Sequence, residues 1–317
     1  MINANATSRS LVSTSARPSP ASSRQPLDVQ PLLAALEQRL GYWLPAGHES
    51  DRVCSAMREG VLAPGKRVRP LLLLLVACDV DAGDAADPLG LLDFACAVEM
   101  IHAASLMLDD LPCMDDAALR RGRPTSHRQF GEDVAILAAV ALVSRAFGVV
   151  AQAHGLPNAC RTQAAASLSC AVGLQGLVQG QFRDLRDGKG ARSAEAITTT
   201  NELKTSVLFD AALQMAALAT GADDTACEAL TRFARDLGQA FQLLDDLSDG
   251  AEDTGKDAHQ DADKSTLIAT LGACTVRKRL HAHLQSAERH LAKACPHGDD
   301  TRIFVRAFFD RQLARLS

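Results

Sequence analysis

Two short acidic runs are the parts of this sequence best equipped for chemistry. Asp109 and Asp110 are followed by Leu111, Pro112, Cys113 and Met114, and then by Asp115 and Asp116. Asp245 and Asp246 are followed by Leu247, Ser248 and Asp249, with Gln242, Asp245 and Asp249 at i, i+3 and i+7 on one helical face. Each run closes an apolar helical stripe: Val98, Ile101, Ser105 and Leu108 lead to the first, and Leu230, Phe233, Leu237, Ala240, Phe241 and Leu244 to the second. Pro112 disfavours continuation of the first helix, so the aspartates sit at its end, facing the negative pole of the helix dipole. Local propensity opposes them there. A lone acidic pair is ordinarily a solvated loop, whereas two matched runs call for a cation between them. Hard carboxylate oxygens suit Mg²⁺, which keeps several waters and bridges substrate phosphates.

Two basic runs carry the opposite sign. Gly65, Lys66, Arg67, Val68, Arg69 and Pro70 precede an apolar run at 71–78, with Pro70 placed as the first helical residue. Cations at a helix start oppose the dipole, which makes an anion the expected partner. Arg120, Arg121, Gly122, Arg123 and Pro124 follow the first acidic run and offer forked donors for phosphate oxygens. A basic turn alone is usually a solvated surface, so Lys66 and Arg69 gain weight only from this company. His102 lies seven residues before Asp109, on the same stripe, although a lone histidine on a helix face is ordinarily a core residue. Met100, Met107 and Met114 read as core or cavity lining, and Tyr42 and Trp43 carry no functional signal.

The elements that position these residues are helical. From residue 27 onward Ala, Leu, Gln, Glu and Arg dominate, β-branched alternation is scarce, and no proline stands between Pro157 and Pro296, which predicts long uninterrupted helices. Breaks are expected at 45–47, 64–70, 80–90, 111–126, 155–157, 187–193, 221–225 and 250–265, and these hold nearly all the concentrated charge. No internal repeat suggests a solenoid. The expected architecture is all-α, one domain over 27–317 behind a tail at 1–26. That tail lacks Asp and Glu and is rich in Ser, Ala and Pro, like a transit peptide or a disordered tail. The disordered tail is the reading adopted.

Composition bounds the rest. The chain has 317 residues, 47% of them apolar, enough for a sizeable core. A net charge of −5 argues against a nucleic-acid backbone or an anionic membrane as principal partner. Nine scattered cysteines without a C-x-x-C pair read as reduced thiols of a cytoplasmic protein. The longest apolar runs, 71–78 and 134–143, fall short of the roughly 20 residues that cross a bilayer, so no membrane span is expected.

The stretch 99–131 (EMIHAASLMLDDLPCMDDAALRRGRPTSHRQFG), with 65–70, 176–185 (GLVQGQFRDL), 204–206 and 241–249 (FQLLDDLSD), resembles the trans-polyprenyl diphosphate synthase family. The likeness is strongest to its bacterial carotenoid-pathway branch, which makes geranylgeranyl diphosphate, and it covers nearly the whole chain after the tail. The resemblance implies an all-helical fold around a central cavity, commonly a homodimer, that condenses isopentenyl diphosphate with allylic diphosphates (dimethylallyl, geranyl, farnesyl) in the presence of several Mg²⁺ ions. By that likeness Asp109, Asp110 and Asp115 belong to the first metal motif and Asp245 and Asp249 to the second. Arg120, Lys204, Thr205, Gln242, Lys256 and Lys264 match positions around the allylic diphosphate. Lys66, Arg69, His102 and Arg121 match those around isopentenyl diphosphate. Asp109, Asp115, Asp245 and Lys204 are the expected catalytic set.

Three positions depart from the family pattern. Pro64, Ser206 and Asp263 each stand where a glycine is usual, the last beside Lys264. An allylic diphosphate ionises because its cation is delocalised, so metals belong on its leaving group, whereas isopentenyl diphosphate keeps its diphosphate and needs only a basic clamp. The rival readings are a C15 farnesyl diphosphate synthase, a class I terpene cyclase, which would lack the second aspartate motif and the basic clamp, and a non-catalytic partner subunit. Ala104 bears on product length. It lies five residues before Asp109, about 7.5 Å down the helix, and is too small to block a C15 tail, with Met100 and Ala97 below it as candidate floor.

Overall fold

The computed structural model describes residues 27–47, 50–81, 87–187, 192–248 and 267–316. Asp249, Lys256, Asp263 and Lys264 lie outside them, as does the tail. Four helices, α1 (Gln30–Trp43), α2 (Arg52–Leu62), α3 (Val68–Val80) and α4 (Pro88–Asp109), lead to a two-residue antiparallel hairpin, β1 (Leu119–Arg120) and β2 (Arg123–Pro124). Then come α5 (Ser126–Phe130), α6 (Glu132–Ala151), α7 (Asn158–Val172), α8 (Leu177–Asp187) and α9 (Ala194–Asn201). A π-helical turn (Glu202–Ser206) runs into α10 (Val207–Thr220) and α11 (Asp224–Ser248), and α12 (Leu267–Leu271), α13 (Ala273–Ala294) and α14 (Asp300–Ala314) follow.

α4 is the axis. Asp87 caps its N-terminus by accepting from the backbone N–H groups of Leu89 and Gly90, and Pro88 occupies a first-turn position where no amide donor is needed. Apolar side chains surround it, so it is sheathed by α1, α2, α3, α6 and α10. The buried apolar side chains from Leu36 to Phe309 form one contiguous core. α14 is tied to this core by Asp79, a buried carboxylate at the end of α3 that accepts from the amides of Asp300 and Thr301.

Two expectations need correction. α3 begins at Val68, not at Pro70, because Arg67 takes a left-handed backbone (φ 47°) and starts the helix two residues earlier, with Pro70 still inside the first turn where its missing N–H is harmless. The proline-free stretch after Pro157 is not built of uninterrupted helices either. Gly173 and Gly176 separate α7 from α8, and the π-helical turn interrupts what would otherwise run from α9 into α10.

Two helices, α4 and α6, are long and apolar enough to cross a membrane by length and composition. The apolar stretch of α4 is 78% buried within the protein, as a core helix requires, while that of α6 is 44% buried. On its outer face Ile136, Leu137 and Val140 are 41, 55 and 60% exposed.

Candidate active site

The first acidic run is folded back on the helix that ends in it. The N–H of Asp115 donates to the carbonyl of Asp109 (2.9 Å) and that of Ala117 to the carbonyl of Asp110 (3.2 Å), so the loop satisfies the last carbonyls of α4 and brings Asp115 against Asp109 across six residues of sequence. Asp116, in the left-handed region at φ 50°, makes the turn. Burial lifts the Asp109 carboxyl to about 6; Lys204 and Arg120 pull against that shift, while Asp115 and Asp110 add to it. Negative charge is crowded here.

Asp110 is buried and committed to Arg120, whose Nε donates to its two oxygens at 2.8 and 3.0 Å and whose Nη2 donates at 2.5 Å. The β1–β2 hairpin aims that arginine. Its two central residues, Arg121 and Gly122, both have positive φ (54° and 73°), as a two-residue type I′ turn demands. Burial lowers the Arg120 guanidinium, but the Asp110 bond and the neighbouring Asp109 and Asp115 raise it above its ordinary value.

The π-helical turn is the junction with the second run. Lys204 Nζ donates to Asp184 of α8 at 2.8 Å and acts electrostatically on Asp109. The next residue, Thr205, donates to Gln242 of α11 (3.3 Å), whose amide donates to Asp246 (3.2 Å). Asp245 lies one turn beyond Gln242 on the same helix. Lys204 and Thr205, adjacent in sequence, thus face one acidic helix end each. A π turn leaves room for this only if its neighbours have no side chains: a Cβ on Gly180 would stand 2.6 Å from the Lys204 nitrogen, and one on Gly238 would stand 2.1 Å from Ser206 Oγ. Ser206, in place of the usual glycine, is accommodated because Gly238 faces it.

The basic clamp gathers around His102, about two helical turns before Asp109 on the same stripe of α4. Arg121 Nη1 donates to the Pro64 carbonyl (2.9 Å), and Arg69 Nη1 lies 3.5 Å from His102 Nε2. Burial, then Arg69, Arg121, Arg120 and Arg67, hold His102 well below the ordinary imidazole range, so it is neutral at physiological pH. Burial lowers Arg69 to about 10, which leaves it cationic. Below the clamp an aromatic cluster joins three helices: Phe241 of α11 stands 5.1 Å from Phe209 of α10 and 5.0 Å from both Phe308 and Phe309 of α14. Arg69 lies over Phe209 (4.4 Å) and Lys66 over Phe308 (5.3 Å), with Lys66 also donating to Gln312 (3.0 Å). Of the product-length residues, Ala104, Met100 and Ala97 are all buried along α4.

The structure therefore brings Asp109, Asp110, Asp115, Arg120, Lys204, Thr205, Gln242 and the α11 end carrying Asp245 to one place, and Lys66, Arg69, His102 and Arg121 to a second. Residue by residue, the sequence assigns no role to Asp184, which holds Lys204, or to Gln181, whose amide oxygen and nitrogen are both buried without a hydrogen-bond partner, although both lie in the 176–185 stretch that carries the family likeness. It assigns none to the buried pair Arg67 and Glu99 either. A stripe on α4 running Glu99, His102, Asp109 at i, i+3 and i+10 is the signal that would have found Glu99. Among the described residues no three His, Cys, Asp or Glu side chains stand close enough to cage a metal. A cation fitting this all-oxygen donor set must complete its shell with waters and substrate oxygens, the habit of Mg²⁺.

Residues 51–295 match the polyprenyl synthetase family. The chain is 59% identical over 286 residues to a geranylgeranyl diphosphate synthase of Pantoea ananas, covering 90% of this chain and 94% of that one. It is 52% identical over 287 residues to a geranylgeranyl diphosphate synthase of Pseudescherichia vulneris, covering 90% and 93%. Among solved structures it superposes on a geranyltransferase from Helicobacter pylori, complexed with magnesium and isoprenyl diphosphate, with a TM-score of 0.81 at 27% identity, over 92% of this chain and 100% of that one.

Proposed function

Because the chain belongs to the polyprenyl synthetase family and is a prenyltransferase, we propose that it condenses isopentenyl diphosphate head to tail with dimethylallyl, geranyl and farnesyl diphosphates and releases geranylgeranyl diphosphate. The observation that carries this reading is the convergence of two aspartate-bearing helix ends on Lys204 and Thr205, with a separate cluster of cations beside them. In this reading Asp109, Asp115, Asp245 and, outside the described residues, Asp249 hold Mg²⁺, with Asp110 fixing Arg120. Mg²⁺, when bound, supplies Lewis-acid stabilisation of the diphosphate leaving group.

The chain's own side chains do the rest. Arg120, Lys204, Thr205 and Gln242 orient the allylic diphosphate, together with Lys256 and Lys264, which lie outside the described residues. Lys66, Arg69 and Arg121 bind the diphosphate that isopentenyl diphosphate keeps, and neutral His102 donates one N–H to it without adding charge. No side chain is required as the final base, because the departing diphosphate can take that proton. The likeness to two geranylgeranyl diphosphate synthases and the small Ala104 favour C20 over C15. The second aspartate run and the clamp favour a synthase over a terpene cyclase or a non-catalytic subunit. We further propose that it works in the cytoplasm, in keeping with nine unpaired cysteines, supplies C20 units to carotenoid synthesis, and pairs with a second copy through the exposed face of α6.

Incubation with labelled isopentenyl diphosphate, Mg²⁺ and each allylic starter, followed by sizing of the products, tests the reading. Expected are C20 as the end product, loss of turnover in EDTA, and a drop of roughly a thousandfold or more for Asp109→Ala, Asp115→Ala and Asp245→Ala with the helical signal intact. Full activity in EDTA would rule the mechanism out.

A further inference from the structure

The clamp cations stand close together and repel one another: beyond the effect of burial, Arg121 depresses Arg69, and Arg67 and Arg120 depress Arg121. One buried carboxylate faces them. Glu99, 4% exposed, accepts from Arg67 Nη1 at 2.5 Å and also attracts Arg69 and Arg121. Arg67 is itself 4% exposed and, through Nη2, donates to the carbonyl of Ala63 at 2.8 Å. It stands between Lys66 and Arg69 with a left-handed backbone that an L-residue adopts only when held there. The start of the 63–69 turn is therefore held twice by arginines: Ala63 by Arg67, and Pro64 by Arg121, whose guanidinium fills the space a Cβ on Gly65 would occupy. Arg67 is buried against Glu99, while its neighbours Lys66 and Arg69 reach the aromatic cluster and His102.

We infer that Glu99 is a positioning residue for isopentenyl diphosphate: its carboxylate pins Arg67, and the pinned Arg67 turns Lys66 and Arg69 into a clamp of fixed spacing. This rests on the assignment of Lys66 and Arg69 to isopentenyl diphosphate. The sign of the effect separates positioning from plain electrostatics. Removing an anion beside an anion site should tighten it if charge alone matters, whereas loss of geometry loosens it.

The experiment measures KM for each substrate, kcat and the thermal midpoint for Glu99→Gln, Glu99→Asp, Lys66→Ala and Arg69→Ala. Expected for Glu99→Gln is a rise in KM for isopentenyl diphosphate on the order of tenfold, with KM for the allylic substrate and kcat within about twofold of wild type, and partial rescue by Glu99→Asp. Where the single variant does not fold, Arg67→Met with Glu99→Leu removes both charges at similar volume and should show the same selective rise. An unchanged or lowered KM for isopentenyl diphosphate, or equal changes for both substrates, overturns the positioning role. If Lys66→Ala and Arg69→Ala also leave that KM unmoved, it is the clamp assignment that has failed; if they raise it and Glu99→Gln does not, the assignment stands and Glu99 alone is misread.

Discussion

At the residue scale, the site concentrates backbone strain and displaced ionisation where charge must be handled. The three non-glycine residues with positive φ among those described, Arg67, Asp116 and Arg121, all lie in the loops of the acidic run or the clamp. Each costs about 1–2 kcal/mol against an ordinary conformation and is held by a named partner or turn. Asp109 shows the same trade in ionisation. Its folded value of about 6 lies above the ordinary 3.8, so the ionised carboxylate destabilises the metal-free fold fully above pH 6, and that penalty fades as pH falls toward 3.8. Asp109→Asn should therefore raise the metal-free melting temperature at pH 7.5, by about 2–4 °C, with the gain vanishing between pH 6 and pH 4, while turnover with Mg²⁺ collapses. Melting curves across that range, with and without Mg²⁺, check both halves. Protons and metal compete for this carboxylate, so the apparent Mg²⁺ affinity should also weaken below pH 6. Aspartates and arginines were legible in the sequence because their types contradict local propensity. The roles of Glu99 and Asp184 were not: Glu99 shows only its place on the α4 stripe with His102 and Asp109, and neither carboxylate carries a local signature of the cation it holds.

At the element scale, α4 does three things with one rigid rod: it fills the core, ends in the aspartates of the first acidic run, and presents Glu99 and His102 to the clamp. Its helical rise fixes how far apart these functions stand, with His102 roughly 10 Å along the axis from Asp109. The same rod carries buried Ala104 five residues before Asp109, and under the C20 reading proposed above an aromatic ring at that level would meet the growing chain. Ala104→Phe is expected to shift the main product from C20 toward C15 with the response to Mg²⁺ unchanged. Chromatographic sizing decides it: a mutant that still makes mainly C20 places the floor elsewhere. The helices themselves could be read from their apolar stripes, and the end of α4 from Pro112. The π-helical turn could not, because Lys204, Thr205 and Ser206 have unremarkable helix propensities and the reason for the turn lies in two glycines far away in sequence, Gly180 and Gly238.

At the scale of the whole molecule, the all-helical architecture and the single core followed from composition and periodicity, while the corrections came from contacts between distant segments. The capping of α14 by Asp79, across 221 residues, is such a contact, and it keeps Phe308 and Gln312 beside Lys66. The unpaired outer face of α6 is the remaining feature at this scale. Leu137→Glu with Val140→Glu should halve the mass seen by sedimentation if that face joins two copies, with the helical signal retained; an unchanged mass would assign the face to another role. The turn at Glu202–Ser206, finally, is a spare residue stored inside a helix. An i to i+5 turn holds one residue more than an α-helical one, so deleting a single residue between Asn201 and Val207 lets the segment close as a regular α-helix with α10 still in phase and its core side chains still inward. What the deletion removes is the offset by which Lys204 meets Asp184 while Thr205 meets Gln242. The fold accepts either length there, and the site needs the longer one.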